Sequence, residues 1–283
     1  MQKRLEFGPT RRLERAYAAG IRKIIGRVLT PKLPEQSFSD WITSIAARSR
    51  AEDVQEACSL LASQMVQQNS TANSRTWKQA AAKWSGGCRL YRLLQVELNG
   101  TPLGAKVARI VRANAEYIRS IPVEAARTLT GEVTRAQQAG ARPATMAKMM
   151  RARFPELLKS RVNLIARTEV AKASTALTQA RSEQVGADWY EWLTSEDARV
   201  RDSHKKMNGI LVAWAQPPSP ERLAGEPSGL GPYHAGACPN CRCTSAPMLS
   251  IDDVDWPHKV HDGSTVKRMT RAEFERRFIR KAA

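Results

Sequence analysis

The chain has 283 residues, 42% of them hydrophobic, with 7 Trp, 16 Gly and 15 Pro; this supports one large core or two ordinary ones and excludes wholesale disorder and collagen-like repeats. Forty-five Lys and Arg against 27 Asp and Glu leave a net charge of +18, which makes a polyanion the first partner to consider: DNA, RNA or an acidic protein face. No stretch approaches the roughly 20 apolar residues that span a bilayer, and the start, MQKRLEFGPTRRLER, lacks the apolar core of a secretory signal, so a soluble protein made in a cytoplasm is expected. In a reducing compartment the five cysteines are not read as a disulfide framework.

From Arg11 to Leu29 apolar residues recur every three or four positions, while Arg12, Arg15, Arg22, Lys23 and Arg27 fill the remainder, which predicts an amphipathic basic helix ended by Pro31 and Pro34. Ser39 or Asp40 can cap a second helix carrying Trp41, Ile45, Val54, Leu61 and Met65, with Cys58 on its apolar pattern as plain core. The polar run QQNSTANS from Gln67 to Ser74 reads as a loop, followed by a third helical stretch with Trp77, Ala81 and Trp84 before Gly86 and Gly87. Pro122 can open a helix that runs to Gln138 and ends at Gly140. Pro143 opens a short basic helix carrying Lys148, Arg151 and Arg153, expected to stop near Pro155. The longest helical pattern runs from Ser160 to Val185, with Gly186 beyond its end.

At Asp188 the texture changes. Trp189 to Leu193 reads as a strand, SEDARVRDSHKKMNG as a turn and short helix, Ile210 to Trp214 as a buried strand, and Gln216 to Pro232 as a long Pro- and Gly-rich loop. The tail carries an acidic patch, Asp252, Asp253 and Asp255, then a basic helical pattern around Phe274 and Phe278 that includes Arg276, Arg277, Arg280 and Lys281. The expected class is therefore α+β: a mainly helical N-terminal part, then a small mixed α/β segment with a Cys-rich, zinc-stabilised loop. Residues 1–121, 122–250 and 251–283 are the expected regions.

The chemistry concentrates in HAGACPNCRCT, where His234, Cys238, Cys241 and Cys243 fall within ten residues. Close Cys spacing lets a local turn bring two thiolates onto one ion, and four such ligands closed to water make a structural zinc site. Cys241 and Cys243, one residue apart, need a sharp bend to bind together, so His204 competes with His234 for the fourth position. The alternative is that some of these cysteines are buried thiols and His204 bonds a carbonyl. A base deaminase also uses P-C-x-x-C, but Lys205 and Lys206 follow His204 where the proton-shuttling Glu would stand. Hydrolase and phosphate-loop motifs are absent, and no catalytic residue is assigned. A polar cluster of Arg167, Glu169, Asp197, Arg199 and Arg201 is expected to supply ion pairs that pin the long helix onto the metal-bearing segment.

Taken in order, Ile165-Ala166-Arg167-Thr168-Glu169, the strand Trp192, Asp197 to Gly209 with Arg199, Val200, Arg201, Ser203 and His204, and Asn240-Cys241-Arg242-Cys243-Thr244 resemble the phage Mu F-like head morphogenesis family, minor head proteins of tailed phages. The resemblance covers about Pro122 to Met248. Cys238 stands where that family often has His, which keeps a zinc-competent ligand there. The resemblance implies a minor capsid component of the virion, inside the head near the portal, with the portal protein and a major capsid or scaffolding protein as partners. Double-stranded DNA would be contacted non-specifically through the basic residues of 11–29, 142–161 and the last 19 positions. A zinc-stabilised nucleic-acid-binding regulator is the alternative, although no helix-turn-helix or aromatic RNA-reading motif is visible. A nuclease and an assembly chaperone are more distant readings.

Overall fold

The structure is a computed structural model that describes residues 7–29, 32–33, 35–83 and 102–279. The expected breakers Pro31, Pro34, Gly86 and Gly87, together with Trp84, Arg280 and Lys281, lie outside the described residues. Five helices come first among the described residues: α1 (Arg11–Val28), α2 (Phe38–Ser49), α3 (Glu52–Lys83), α4 (Pro102–Gln138) and α5 (Pro143–Val185). A small mixed sheet follows, built from β1 (Trp189–Leu193), β2 (Ile210–Ala213), β3 (Thr244–Pro247), β4 (His258–His261) and β5 (Val266–Met269). The short helices α6 (Asp202–Met207) and α7 (Pro220–Ala224) flank β2, and α8 (Arg271–Phe274) follows β5. This is the α+β class expected from the sequence.

The chain divides into two compact units. The helical unit comprises Thr10–Gln68 and Ala108–Val170, and the sheet-bearing unit comprises Met1–Pro9, Asn69–Val107 and Ala171–Ala283. The position 121/122, a boundary in the sequence reading, falls inside α4.

In the helical unit, α1 starts at a Thr10 cap whose hydroxyl accepts from the Leu13 amide, and it buries Leu13, Tyr17, Ile21, Ile24, Ile25 and Val28 on one side. Arg12, Arg15, Arg22, Lys23 and Arg27 are exposed on the other. The cap of α2 is Ser37, not Ser39 or Asp40, and the helix ends at Arg50 before α3 begins. Two prolines were expected at helix boundaries and instead sit inside helices: Pro122 in α4 and Pro155 in α5. A proline inside a helix costs about 3 kcal/mol. Around Pro122 the cost is offset by buried Ile118, Ile121, Ala125, Ala126 and Leu129; beside Pro155, Phe154 packs against Trp41 at 5.3 Å between ring centroids.

In the sheet-bearing unit the strand order is β3-β1-β2-β4-β5, antiparallel except for the parallel β2-β4 pair. Side-chain alternation gives each face a core. Tyr190 and Trp192 of β1 lie opposite Val212 and Ile210 of β2, and these four join the three clustered cysteines on one face. Trp189 and Leu211 join Val260, Met269 and Phe274 on the other, where Phe274 and Phe278 pack on Trp189 at 4.9 and 4.8 Å. Strands β4 and β5 come from the region expected to be a basic tail. Only the single apolar residues Val260 and Met269 are buried there beside charged neighbours, too little alternation to announce a strand. The long loop after β2 likewise contains α7, opened by Pro220 and closed by Gly225 at φ +76.

The run Gln67–Ser74 was expected to be a loop, yet α3 continues through it. Its polar side chains are partnered: Arg181, 7% exposed, donates to Asn73 Oδ1 and at 3.0 Å to Ser70 Oγ, while Asn73 Nδ2 donates to Thr178 Oγ1 at 2.7 Å. Tertiary hydrogen bonding overrides the weak helix propensity of Asn, Ser and Thr. Burial lowers the Arg181 pKa only to about 10, so the guanidinium stays charged at neutral pH and needs these oxygens. Asn73→Ala is expected to lower unfolding stability by about 2–4 kcal/mol, measured as a shift in urea midpoint with unchanged slope.

Candidate metal centre

Helix α6 turns Ser203, His204 and Met207 inward. The cysteines arrive on the segment before β3. Cys238-Pro239-Asn240-Cys241 is a turn closed by the Cys241 amide on the Cys238 carbonyl at 3.3 Å. Pro at its second position and Asn240 at φ 58 in the third is the pattern of a type II turn. Asn tolerates that left-handed backbone, and the turn supplies the bend that puts Cys241 and Cys243 on one side.

His204 Nδ1 lies 3.6 Å from Cys241 Sγ and 3.4 Å from Cys243 Sγ, and the three ligand atoms all fall within 4.8 Å of one another. All three residues are buried. With Zn–S near 2.3 Å and Zn–N near 2.0 Å, a tetrahedral site requires N···S separations of about 3.5 Å, so this donor set fits one ion. His204, Cys241 and Cys243 therefore form a group that could hold a metal ion. Cys238, buried beside them, interacts with both Cys241 and His204, and its Sγ accepts from Arg201 Nη1 at 2.7 Å. The fold brings His204 and not His234 to the sulfurs. His234 sits between Tyr190 and Trp214, its Nδ1 3.1 Å from the Tyr190 hydroxyl, and burial holds its pKa down at about 4.

A second layer fixes the ligands. His204 Nε2 meets the Tyr233 hydroxyl at 2.9 Å, and that hydroxyl donates to Glu221 Oε1 at 2.5 Å, so the long loop is tied at two points to the candidate ligand. The Cys243 amide donates to Cys241 Sγ at 3.3 Å. Arg201 also donates to the Pro239 carbonyl at 2.8 Å, and Arg242 pairs with Asp197 at 2.8 Å, which in turn pairs with Arg199 at 3.2 Å. Asp197, Arg199 and Arg201 thus clamp the cysteine turn itself. Arg167 and Glu169 belong to the helical unit, where Arg167 lies 4.0 Å from Glu14 and Glu169 adds to the burial that raises the Tyr17 pKa. Tyr233, Glu221 and Arg242 were not singled out from the sequence. Arg242 stands inside the Cys-Arg-Cys motif and could have been; the other two sit in a loop without period.

Residues 127–246 match the model of the family described as Phage Mu protein F like protein. The matched segment includes Arg167, Thr168 and Glu169, β1, α6 and all three clustered cysteines. An uncharacterized protein of Haemophilus influenzae is 32% identical over 158 residues, 55% of this chain and 32% of the relative, so the chain spans about a third of that relative's length. No solved structure matches the chain.

The expected DNA-facing residues separate into groups. Those of α1 are exposed, and among the described residues none of the five pairs with a carboxylate. Lys148 and Arg151 are exposed too, whereas Arg153 is engaged by Glu132 and Glu156, both at 3.2 Å. Arg276 is exposed, and Arg277 pairs with Asp262 at 3.2 Å.

Gly236, at φ +83, packs where a Cβ would lie 2.6 Å from Thr175 Oγ1 and 2.9 Å from the Cys243 carbonyl. Gly236→Ala is expected to cost about 2 kcal/mol or more and to weaken metal retention, read by thermal unfolding and metal analysis. In metal-free protein, burial alone would pull the His204 pKa down, but hydrogen bonds to Cys238 and Cys241 outweigh it and raise it to about 9. A histidine raised above its unfolded value of about 6.5 contributes fully below that pH and loses the contribution as pH climbs through its folded pKa. The metal-free wild type is therefore expected to lose stability from neutral pH up to about pH 9, more steeply than His204→Gln in parallel thermal melts.

Proposed function

We propose that the protein is a minor head component of a tailed phage particle, associated with the portal and prohead, that contacts packaged DNA non-specifically and carries one structural zinc ion on Cys238, Cys241, Cys243 and His204. The observation that carries this reading is the Mu F-like segment with its cysteine cluster gathered on the sheet. Three thiolates and a neutral imidazole around Zn²⁺ leave one net negative charge, which Arg201 on Cys238 balances. With four protein ligands the ion has no open position for chemistry, so its work is to hold the loop.

The charge of +18 and the exposed basic face of α1, whose five cations form no salt bridge among the described residues, support the DNA contact. Phosphates at one charge per about 1.7 Å of duplex bind such a face by counterion release, without sequence being read. A capsid or scaffolding protein and the portal are the protein partners this reading requires.

Proheads and mature particles purified from an infected lysate should contain the chain at low copy number by quantitative mass spectrometry; its absence from both would overturn the assignment. For DNA, replacing Arg12, Arg15, Arg22, Lys23 and Arg27 with Gln should reduce the slope of log affinity against log salt by about 3–5. A wild-type affinity that does not change between low and moderate salt contradicts the contact. Protein purified from a reducing cytoplasm should hold close to one equivalent of zinc, and chelation should lower its melting temperature.

A further inference from the structure

A cavity of about 240 Å³ opens between α6, α7 and the β4-β5 hairpin, wholly within the sheet-bearing unit. Its floor is apolar, with Met207, Ile210 and Leu223, and its rim carries Lys206, Lys259 and Arg268. All three cations are exposed, and among the described residues none forms a salt bridge; Lys206 donates to the Ala224 carbonyl at 3.3 Å and feels the Asp202 carboxylate one turn back, whereas Lys259 and Arg268 face each other.

Two independent features mark this cavity as built for an occupant. Lys259 and Arg268 are directly opposed across the β4-β5 pair, and like charges in that position destabilise a sheet unless an anion relieves them. Ser203, which lines the cavity and is 0% exposed, has a buried hydroxyl with no hydrogen-bond partner among the described residues. A buried hydroxyl left unpaired costs about 1–3 kcal/mol, a cost that a bound acceptor would remove.

We propose that this cavity docks a peptide segment of a partner protein in which an apolar side chain fills the floor and flanking carboxylates meet Lys206, Lys259 and Arg268. The chemistry favours a peptide over nucleic acid. A phosphate backbone has no use for the Met207 and Leu223 floor. The volume, below the roughly 300 Å³ of drug-sized pockets, suits one or two side chains. The site shares no residue with α1, so its failure would leave the proposed DNA contact untouched.

The test uses full-length protein and fluorescence anisotropy with a labelled peptide of alternating Asp, Leu, Phe and Glu. Its amide counterpart, with Asn and Gln for the acids, and a short DNA duplex serve as competitors. Saturable binding of the acidic peptide is expected, weakened about tenfold or more by Lys259→Ala with Arg268→Ala. Ser203→Ala should weaken binding several-fold while leaving the melting temperature unchanged or higher, an outcome a merely structural serine would not give. Leu223→Asp should abolish binding without shifting DNA affinity. Equal binding of the amide peptide, or an acidic-peptide affinity indifferent to the Lys259 and Arg268 changes, would overturn the proposal. So would a wild type that ignores the peptide while the double variant loses DNA affinity, which would give the rim to nucleic acid.

Discussion

Three thiols and an imidazole packed together in an apolar setting are the constraint on which the sheet-bearing unit depends. Desolvated groups of this kind are stable only when their charges and hydrogen bonds are met inside the cluster. Here Arg201 faces one sulfur, a backbone amide faces another, and the far nitrogen of His204 is spoken for by Tyr233 and, through it, Glu221. A single tetrahedral ion would satisfy what remains. The same contacts that orient these side chains also fasten the surrounding backbone, so under the proposed zinc site coordination and loop order would be one event.

That coupling explains the architecture around the site. The sheet offers Tyr190, Trp192, Ile210 and Val212 as a flat apolar bed, and the cysteine turn lies on it. Thr175 of α5 holds the Ala235 carbonyl at 2.7 Å, joining the long helix to the segment that leads into the turn. On the opposite face the hairpin β4-β5 and α8 close a second core around Trp189 and Phe274. A sheet buried on both faces keeps the ligand-bearing elements in register. The cation-rimmed cavity opens beside α6, so an occupant there would touch the helix that presents His204.

What the sequence reveals follows from how local each determinant is. The α1 helix was readable because Leu13, Tyr17, Ile21 and Val28 repeat at helical spacing with arginines between, and burial follows that pattern residue by residue. The strand β1 was readable because four large apolar side chains crowd into five positions. The helices through Pro122, Pro155 and Ser70 were misread because a local penalty was overruled by packing and by hydrogen bonds to residues about a hundred positions away, as with Asn73 and Arg181. Of the site, the cysteines and His204 were visible as residue types with metal-ligand spacing. The choice between His204 and His234 needed the fold, since only α6 reaches the sulfurs. Tyr233 and Glu221 were invisible because a loop without period gives no hint of which side chains turn inward.

The most direct measurement is X-ray absorption at the zinc edge on the intact, reduced protein. One nitrogen near 2.0 Å and three sulfurs near 2.3 Å, falling to two sulfurs in Cys238→Ser, would match the account. A shell of oxygen and nitrogen alone, or a wild-type spectrum unchanged by that substitution, would contradict it.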